Sequence, residues 1–113
     1  QAGFDAACAW IAQNATQPGP ILTRQPGEVF LRTGRQALVP PSSQPKAIEQ
    51  VIVRYGVAYL LVDEERYAKA PVNPLTRFAE THTERVERVW SEAAPAGGAT
   101  YAIFAVRRVG AAK

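Results

Sequence analysis

The chain has 113 residues, enough for one domain with one hydrophobic core. Hydrophobic residues make up 47% of it and charged residues 20%, a composition that excludes an intrinsically disordered protein. The net charge is +3, and the basic residues are scattered without a long basic run, which argues against a nucleic-acid-binding protein. Such a small surplus of basic residues is typical of a solvated surface. It is also compatible with binding to anionic lipid headgroups or to ligands that carry phosphate.

The sulfur-containing residues narrow the class of protein further. Cys8 is the only cysteine, so the chain can form neither an intrachain disulfide nor a zinc cluster of thiols. Its neighbours in "DAACAW" predict a small apolar residue on a buried helix face. The chain contains no methionine and begins at Gln1, so we expect a processed product or a piece of a larger protein. No apolar run approaches the roughly 20 residues of a spanning helix, and any membrane segments are therefore expected outside residues 1–113.

The first half of the chain predicts two helices and two strands. Apolar residues at helical spacing indicate an opening amphipathic helix, which "QPGP" ends. A short buried strand follows and ends at Arg24. Pro26 and Gly34 then bracket a short helix, because proline suits the first turn of a helix and glycine its end. The predicted elements are a helix over 4–16, a strand over 21–23, a helix over about 27–33 and a strand over 36–39.

The second half continues this alternation. Ser43 is expected to cap a helix that carries one apolar stripe and ends at Gly56. The next strand is apolar on both faces, as a central strand is, and Asp63 follows it. Asn73 is expected to cap another helix, which starts at Pro74. The predicted strands of this half are 57–62, a charged strand over 84–92 and an apolar strand over 100–107.

Alternating helices and strands predict an α/β fold for the whole of residues 1–113 as a single domain. We expect three layers, α/β/α, with a mainly parallel five-stranded sheet. The last strand is apolar on both faces and should be interior, whereas the charged strand before it should lie at an edge. The expected strand order is therefore 2-1-3-5-4, with the last strand antiparallel.

Arginines gather around the first strand and the helix that follows it. In open α/β sheets, ligands favour the crevice beyond the carboxyl ends of the strands, and here the first strand ends at Arg24 and the third at Asp63. Arg32 and Arg35 flank the end of the helix between the first two strands. Arginine side chains and a helix N-terminus near Gly27 can bind phosphate or carboxylate, so we predict a ligand site formed by Arg24, Arg32, Arg35 and Asp63.

A structural role is the alternative for the same side chains. Arg24 can pair with Asp63 or Glu64 across neighbouring strand ends, and Arg35 can pair with Glu28. The carboxylates of Asp63, Glu64 and Glu65 can in principle do acid–base work or hold a cation. Consecutive residues point in different directions, however, so a solvated loop beside Arg66 is the interpretation that this acidic run favours.

No motif in the sequence indicates catalysis. Neither G-x-G-x-x-G nor G-x-x-x-x-G-K-[ST] occurs, which disfavours a nucleotide-binding domain. His82 is the only histidine, and no serine or cysteine near it resembles a nucleophile elbow. It follows "FAET", where an imidazole would complement a helix C-terminus. One histidine and one cysteine also argue against a transition metal, so we assign no catalytic residue, metal or cofactor.

Three segments together resemble a known family. They are "AACAWIAQN", "PGPILTRQPGEVFLRTGRQALVPP" and "YGVAYLLVD". Their pattern is similar to that of the soluble C-terminal domain of bacterial polytopic membrane glycosyltransferases, a group related to protein mannosyltransferases and lipid-phosphate-sugar transferases. The matching positions are Trp10, Ile11, Asn14, Thr23, Arg24, Pro26, Thr33, Gly34, Arg35, Ala37, Pro40, Gly56, Tyr59 and Asp63.

The resemblance implies a non-catalytic domain on the extracytoplasmic face of a bacterial membrane, attached to the transmembrane part of the same polypeptide. The family's catalytic carboxylates lie in its membrane portion, so none is carried onto this chain. A polyprenyl-phosphate sugar donor, the acceptor or anionic lipid headgroups are the expected ligands, with Arg24 and Arg35 as the contacts, and no nucleic acid is expected. The alternatives are a free-standing module that binds a small molecule or an anion, and an enzyme that uses the carboxylates near Asp63.

Overall fold

Four helices and five strands form the part of the chain that the computed structural model describes, which comprises residues 2–41, 44–63, 74–92 and 101–107. Their types and their order are those predicted. No helix within these ranges is both long and apolar enough to cross a bilayer. In chain order the elements are α1 (Ala2–Asn14), β1 (Ile21–Thr23), α2 (Pro26–Thr33), β2 (Ala37–Leu38), α3 (Pro45–Tyr55), β3 (Tyr59–Asp63), α4 (Pro74–Thr81), β4 (Val86–Glu92) and β5 (Tyr101–Val106).

The strands form one sheet in the order β2-β1-β3-β5-β4, which confirms the predicted order. β1 pairs in parallel with both β2 and β3. β5 runs antiparallel to both of its neighbours, β3 and β4. The sheet is therefore mixed rather than mainly parallel. Its two parallel pairings are those of β1, and its two antiparallel pairings are those of β5, which lies between β3 and β4 and runs in the opposite direction to both.

Two apolar clusters lie on opposite faces of the sheet. Leu60 and Val62 of β3 belong to the cluster that contains buried side chains of α3 and α4. Tyr59 and Leu61 alternate with them and belong to the cluster that contains buried side chains of α1 and α2. Successive residues of a strand point to opposite faces, so a strand with a helix on each side must be apolar throughout. This explains why β3 and β5 are apolar on both faces.

Proline and glycine set the ends of α2 and α3. Each helix has proline in its first turn and ends at a glycine in the left-handed conformation, Gly34 at φ 75° and Gly56 at φ 63°. The N–H of Gly34 donates to the carbonyl of Phe30 at 2.9 Å. The predicted cap of α3 is displaced by one residue, because Gln44 occupies the N-cap position. Ser43 and the predicted cap of α4, Asn73, lie outside the described residues.

The ends of the strands define two opposite edges of the sheet. We call the edge where β1 and β3 end the carboxyl edge, and the edge where they begin the amino edge. β5 starts at the carboxyl edge, since Tyr101 pairs with Asp63. Helix α1 also starts there, because the ring of Phe4 lies 5.9 Å from that of Tyr101 in an edge-to-face arrangement. It ends at the amino edge, where the N–H of Thr16 donates to the hydroxyl of Tyr59, the first residue of β3.

Candidate functional site

Arg24 and Asp63 lie next to each other at the carboxyl edge, as predicted. β1 and β3 are parallel neighbours with Thr23 opposite Leu61, so the residues that follow or end them come together. Nη1 of Arg24 lies 3.8 Å from Oδ1 of Asp63, which is an ion pair beyond hydrogen-bond distance. The Arg24 side chain is 54% exposed and the Asp63 side chain 17%. The guanidinium is therefore open to solvent while the carboxylate is largely covered.

The crevice beyond these strand ends is almost filled. A cavity of about 10 Å³ lies there, which is room for about one water molecule. Phe4 of α1 packs edge-to-face on Tyr101 and lines this cavity, so two aromatic rings occupy the position where open α/β sheets usually bind ligands. The cavity that the described residues enclose is therefore too small for a ligand larger than water, whereas the rim at Arg24 is exposed. The lining residues are Phe4, Thr23, Arg24, Gln25, Leu61, Asp63 and Tyr101.

The start of α2 lies beside Arg24 on the same edge. The N–H of Gln25 donates to Oγ1 of Thr23 at 3.2 Å, which fixes the turn between strand and helix. Pro26 then opens the helix, and the amides of Gly27 and Glu28 precede its first hydrogen bond, which runs from the N–H of Val29 to the carbonyl of Gln25. Gly27 has open space around it, because a Cβ added there would meet no atom within 4 Å. Backbone donors and the Arg24 guanidinium are thus available at one exposed corner.

Arg32 binds the neighbouring helix instead of this corner. Its Nη1 donates to Oδ1 of Asp5 in α1 at 2.5 Å, and its Nε lies 3.5 Å from Oε1 of Glu28. The guanidinium carbon also lies 5.4 Å from the centroid of the Phe4 ring. These contacts join α2 to α1, so the structure gives Arg32 a role in holding the two helices together.

Arg35 lies at the opposite edge of the sheet from Arg24. Its Nη2 donates to the carbonyls of Gln17 at 2.7 Å and Gly19 at 2.6 Å, and its Nη1 donates to that of Ala15 at 3.3 Å. The predicted gathering of three arginines around one crevice is therefore wrong. The reason is that α2 runs from the carboxyl edge to the amino edge. Arg24, which precedes the helix, and Arg35, which follows it, therefore lie at opposite ends of the strands.

The ion-pair alternatives for these side chains are resolved by the same contacts. Arg24 pairs with Asp63, as the structural interpretation expected. Glu28 pairs with Arg32, four residues further along α2, and not with Arg35. Glu64, Glu65 and Arg66 lie outside the described residues.

The amino edge contains a polar network that the sequence did not indicate. The N–H groups of Thr16 and Gln17 both donate to the Tyr59 hydroxyl at 3.0 Å. The Gln17 side chain donates through Nε2 to the carbonyls of Ala58 and Val106, each at 3.1 Å. These bonds and those of Arg35 fix the segment 15–20, which joins α1 to β1. The Tyr59 hydroxyl, the Gln17 amide and the Arg35 guanidinium thus bind the protein's own backbone and not a ligand.

His82 and Cys8 take the positions that the sequence predicts. His82 follows α4, and its Nδ1 lies 3.1 Å from the carbonyl oxygen of Phe78 while its ring stacks on the Phe78 ring at 4.2 Å. Cys8 is buried in α1, and this burial raises the pKa of its thiol. In the described ranges no three His, Cys, Asp or Glu side chains come together in a way that could hold a metal ion.

Comparison with known proteins places the fold. Neither a protein-family model nor a curated protein sequence matches the chain. Its structure is similar to that of the C-terminal globular domain of oligosaccharyltransferase from Archaeoglobus fulgidus, with a TM-score of 0.61. The alignment covers 95% of this chain and 98% of that chain, at 10% sequence identity. The chain therefore shares the fold of that domain over nearly its whole length.

Proposed function

We propose that this chain is a non-catalytic, extracytoplasmic accessory domain of a bacterial membrane glycosyltransferase. The observation that carries the proposal is the fold shared with the C-terminal globular domain of an oligosaccharyltransferase. The likeness covers 95% of one chain and 98% of the other, so it relates one whole domain to another. The sequence resemblance to the soluble C-terminal domains of polytopic membrane glycosyltransferases supports the same class of parent protein.

The geometry of the carboxyl edge supports an accessory role over a catalytic one. Asp63 is the carboxylate at the end of β3, and it lies 3.8 Å from Arg24 beside a cavity of about 10 Å³. The described residues leave a space there that admits about one water molecule and not a sugar. Catalysis by a carboxylate requires contact with the reacting group, so this small space favours an accessory role over a role for Asp63 as general base.

Within this function we assign the contact with a lipid-phosphate sugar donor to Arg24. Its side chain is more than half exposed, and it lies beside the open first turn of α2 at Gly27. A phosphate at this corner would receive charged hydrogen bonds from the arginine and neutral ones from the helix start. Asp63 then holds Arg24 in position until the phosphate replaces it, while Arg32 and Arg35 remain engaged in the contacts described above.

The first experiment reads the coding sequence upstream of Gln1 and then measures sugar transfer in membranes. We expect several membrane-spanning segments upstream, transfer activity in the full-length protein, none in residues 1–113 alone, and lower activity when these residues are deleted. A start codon or a cleaved signal sequence directly upstream would contradict the proposal and indicate a free-standing binding module.

The second experiment titrates the chain with a water-soluble polyprenyl-phosphate analogue. Arg24→Ala should weaken binding about tenfold, the equivalent of about 1.4 kcal/mol. Arg77→Ala is the matched control, since Arg77 is exposed on α4 and far along the chain from the carboxyl-edge corner. Equal binding by Arg24→Ala and the parent chain would remove Arg24 from the donor contact.

A further inference from the structure

The first turn of α1 packs closely on the carboxyl edge of the sheet. Phe4 is buried, and its ring meets that of Tyr101 at an interplanar angle of 87°. Gly3 lies so near the same strand that an added Cβ would be 3.8 Å from Cδ1 of Tyr101. Arg32 of α2 lies over the Phe4 ring and pairs with Asp5, the next residue of α1. The Phe4 ring is therefore held by contacts with both β5 and α2.

The polar side chains nearest to this ring belong to the ends of β1 and β3. Thr23 and Asp63 line the small cavity at the carboxyl edge together with Phe4 and Tyr101. Thr23 is only 2% exposed, and its Oγ1 accepts the N–H of Gln25. The hydroxyl and the carboxylate could bind the hydroxyl groups of a sugar, but a ligand would have to displace an aromatic ring to reach the buried hydroxyl.

The space at the carboxyl edge differs greatly from that of an ordinary ligand pocket. Pockets that enclose small molecules have volumes of about 300–1,000 Å³. The cavity that the described residues enclose here has a volume of about 10 Å³, whereas the Arg24 side chain on its rim is more than half exposed. A phosphate can therefore meet Arg24 from outside, and a sugar attached to that phosphate would stay on the solvent side of Phe4.

We propose that Phe4 makes this site bind the phosphate of a lipid-linked sugar donor without recognising the sugar. The inference deepens the proposed function and rests on its assignment of the donor contact to Arg24. Discrimination between sugars requires buried polar groups that pair with the hydroxyls of one sugar and stay unpaired with another. The Phe4 ring keeps Thr23 and Asp63 from such pairing, so donors that carry different sugars bind with equal affinity.

Calorimetric titration of residues 1–113 with three phosphodiesters tests this proposal. The probes are geranyl mannosyl phosphate, geranyl glucosyl phosphate and geranyl methyl phosphate. Each of them carries one negative charge, so a difference in affinity reports the sugar and not the charge. The three dissociation constants of the parent chain should agree within about twofold, and Arg24→Ala should raise all three by the same factor.

Removal of the Phe4 ring should create the discrimination that the parent chain lacks. In Phe4→Ala the polar groups of Thr23 and Asp63 become reachable, so the two sugar diesters should bind about fivefold more tightly than the methyl diester, the equivalent of one hydrogen bond. Phe4→Leu keeps an apolar side chain at this position and should give a smaller gain, which is measured if Phe4→Ala does not fold. Phe30→Ala is the matched control, because it removes an exposed ring from α2 and should leave the three affinities equal.

Three results would overturn the inference, and they differ in what they leave standing. A difference of about tenfold or more between the diesters in the parent chain would mean that the sugar is recognised, while Arg24 would remain the donor contact. Equal affinities in the folded Phe4 variants would show that the ring is not what excludes the sugar. Absence of binding by all three diesters would remove the Arg24 contact as well, and the deletion experiment on the full-length protein would still test the accessory role by itself.

Discussion

The guanidinium of Arg35 lies 5.8 Å from the centroid of the Tyr59 ring, and the two side chains bind the same short segment from different sides. Arg35 donates to three carbonyls of the segment 15–20, and the Tyr59 hydroxyl accepts from two of its N–H groups. The segment joins α1 to β1 and pairs with no strand over most of its length. Side chains therefore supply the hydrogen bonds that a sheet would otherwise provide.

Arg35→Ala should lower the free energy of unfolding by about 2–4 kcal/mol, because three carbonyls lose a charged donor. Arg35→Lys should recover less than half of this loss, since a single ammonium cannot reach all three carbonyls. Urea unfolding followed by tryptophan fluorescence measures both changes. Arg77→Ala serves as the control and should stay within about 0.5 kcal/mol of the parent. A similar loss in the control would show that the effect is not specific to the amino edge.

Tyr59→Phe should destabilise the fold by about 1–2 kcal/mol, because the N–H groups of Thr16 and Gln17 lose their common acceptor. The ring itself remains, so its packing against Trp10 at 6.1 Å is retained. Tyr55→Phe removes a hydroxyl from an exposed ring and should be neutral. Calorimetric midpoints of the two variants would distinguish the lost bonds from a general effect of hydroxyl removal. An unchanged midpoint for Tyr59→Phe would mean that water replaces the hydroxyl at no cost.

Gly19→Ala should be strongly destabilising, by about 3 kcal/mol or more. The residue has a φ of 129°, and an added Cβ would lie 2.2 Å from the carbonyl oxygen of Gly56. Gly27→Ala is the matched substitution, since space around Gly27 is open, and it should stabilise α2 by about 0.5–1 kcal/mol. In urea titrations, the free energy of unfolding should fall for Gly19→Ala and rise for Gly27→Ala. Equal effects would contradict the backbone geometry assigned to Gly19.

Asp63→Asn removes a pairing with Arg24 that should contribute less than about 1 kcal/mol to the free energy of unfolding, because this pairing is long and solvent-exposed on the arginine side. The same substitution should strengthen binding of a polyprenyl-phosphate analogue roughly twofold to fivefold, since the carboxylate no longer competes for the guanidinium. Isothermal titration calorimetry measures the affinity directly. Weaker binding by Asp63→Asn would instead assign Asp63 to the ligand contact itself.

The stability of the chain should decline at alkaline pH in part because of Cys8. Burial raises the pKa of its thiol above the ordinary value of 9.0, so the folded state holds this proton more tightly than the unfolded state. The contribution is complete below pH 9.0 and is lost as the pH rises through the folded-state pKa. The free energy of unfolding, measured by urea titration from pH 8 to pH 10.5, should fall more steeply with pH for the parent than for Cys8→Ala. Identical slopes would mean that Cys8 does not contribute.

The strand order and the contact at the carboxyl edge follow from the sequence for clear physical reasons. The charge of β4 places it at an edge, and the apolar character of β5 places it inside the sheet. Once β1 and β3 are parallel neighbours, the residues at their carboxyl ends must meet, and this confirms the predicted adjacency of Arg24 and Asp63.

The partners of Arg32 and Arg35 could not be predicted in the same way. An arginine side chain is long and flexible, so its partner can lie in several directions. Arg35 binds backbone carbonyls, and because every residue has one, the sequence does not indicate which of them accept the hydrogen bonds. The contact of Phe4 with Tyr101 depends on where the axis of α1 lies over the sheet, which apolar spacing alone does not specify. The sequence pattern therefore predicts an open crevice, because it does not specify the position of the helix whose side chain covers it.

The first turn of α1 determines how much space exists at the strand ends. Phe4 is the part of that helix that reaches the cavity beside Arg24 and Asp63. The space beside Arg24 and Asp63 is thus limited by a side chain of the helix that packs over the sheet as well as by the ends of the strands.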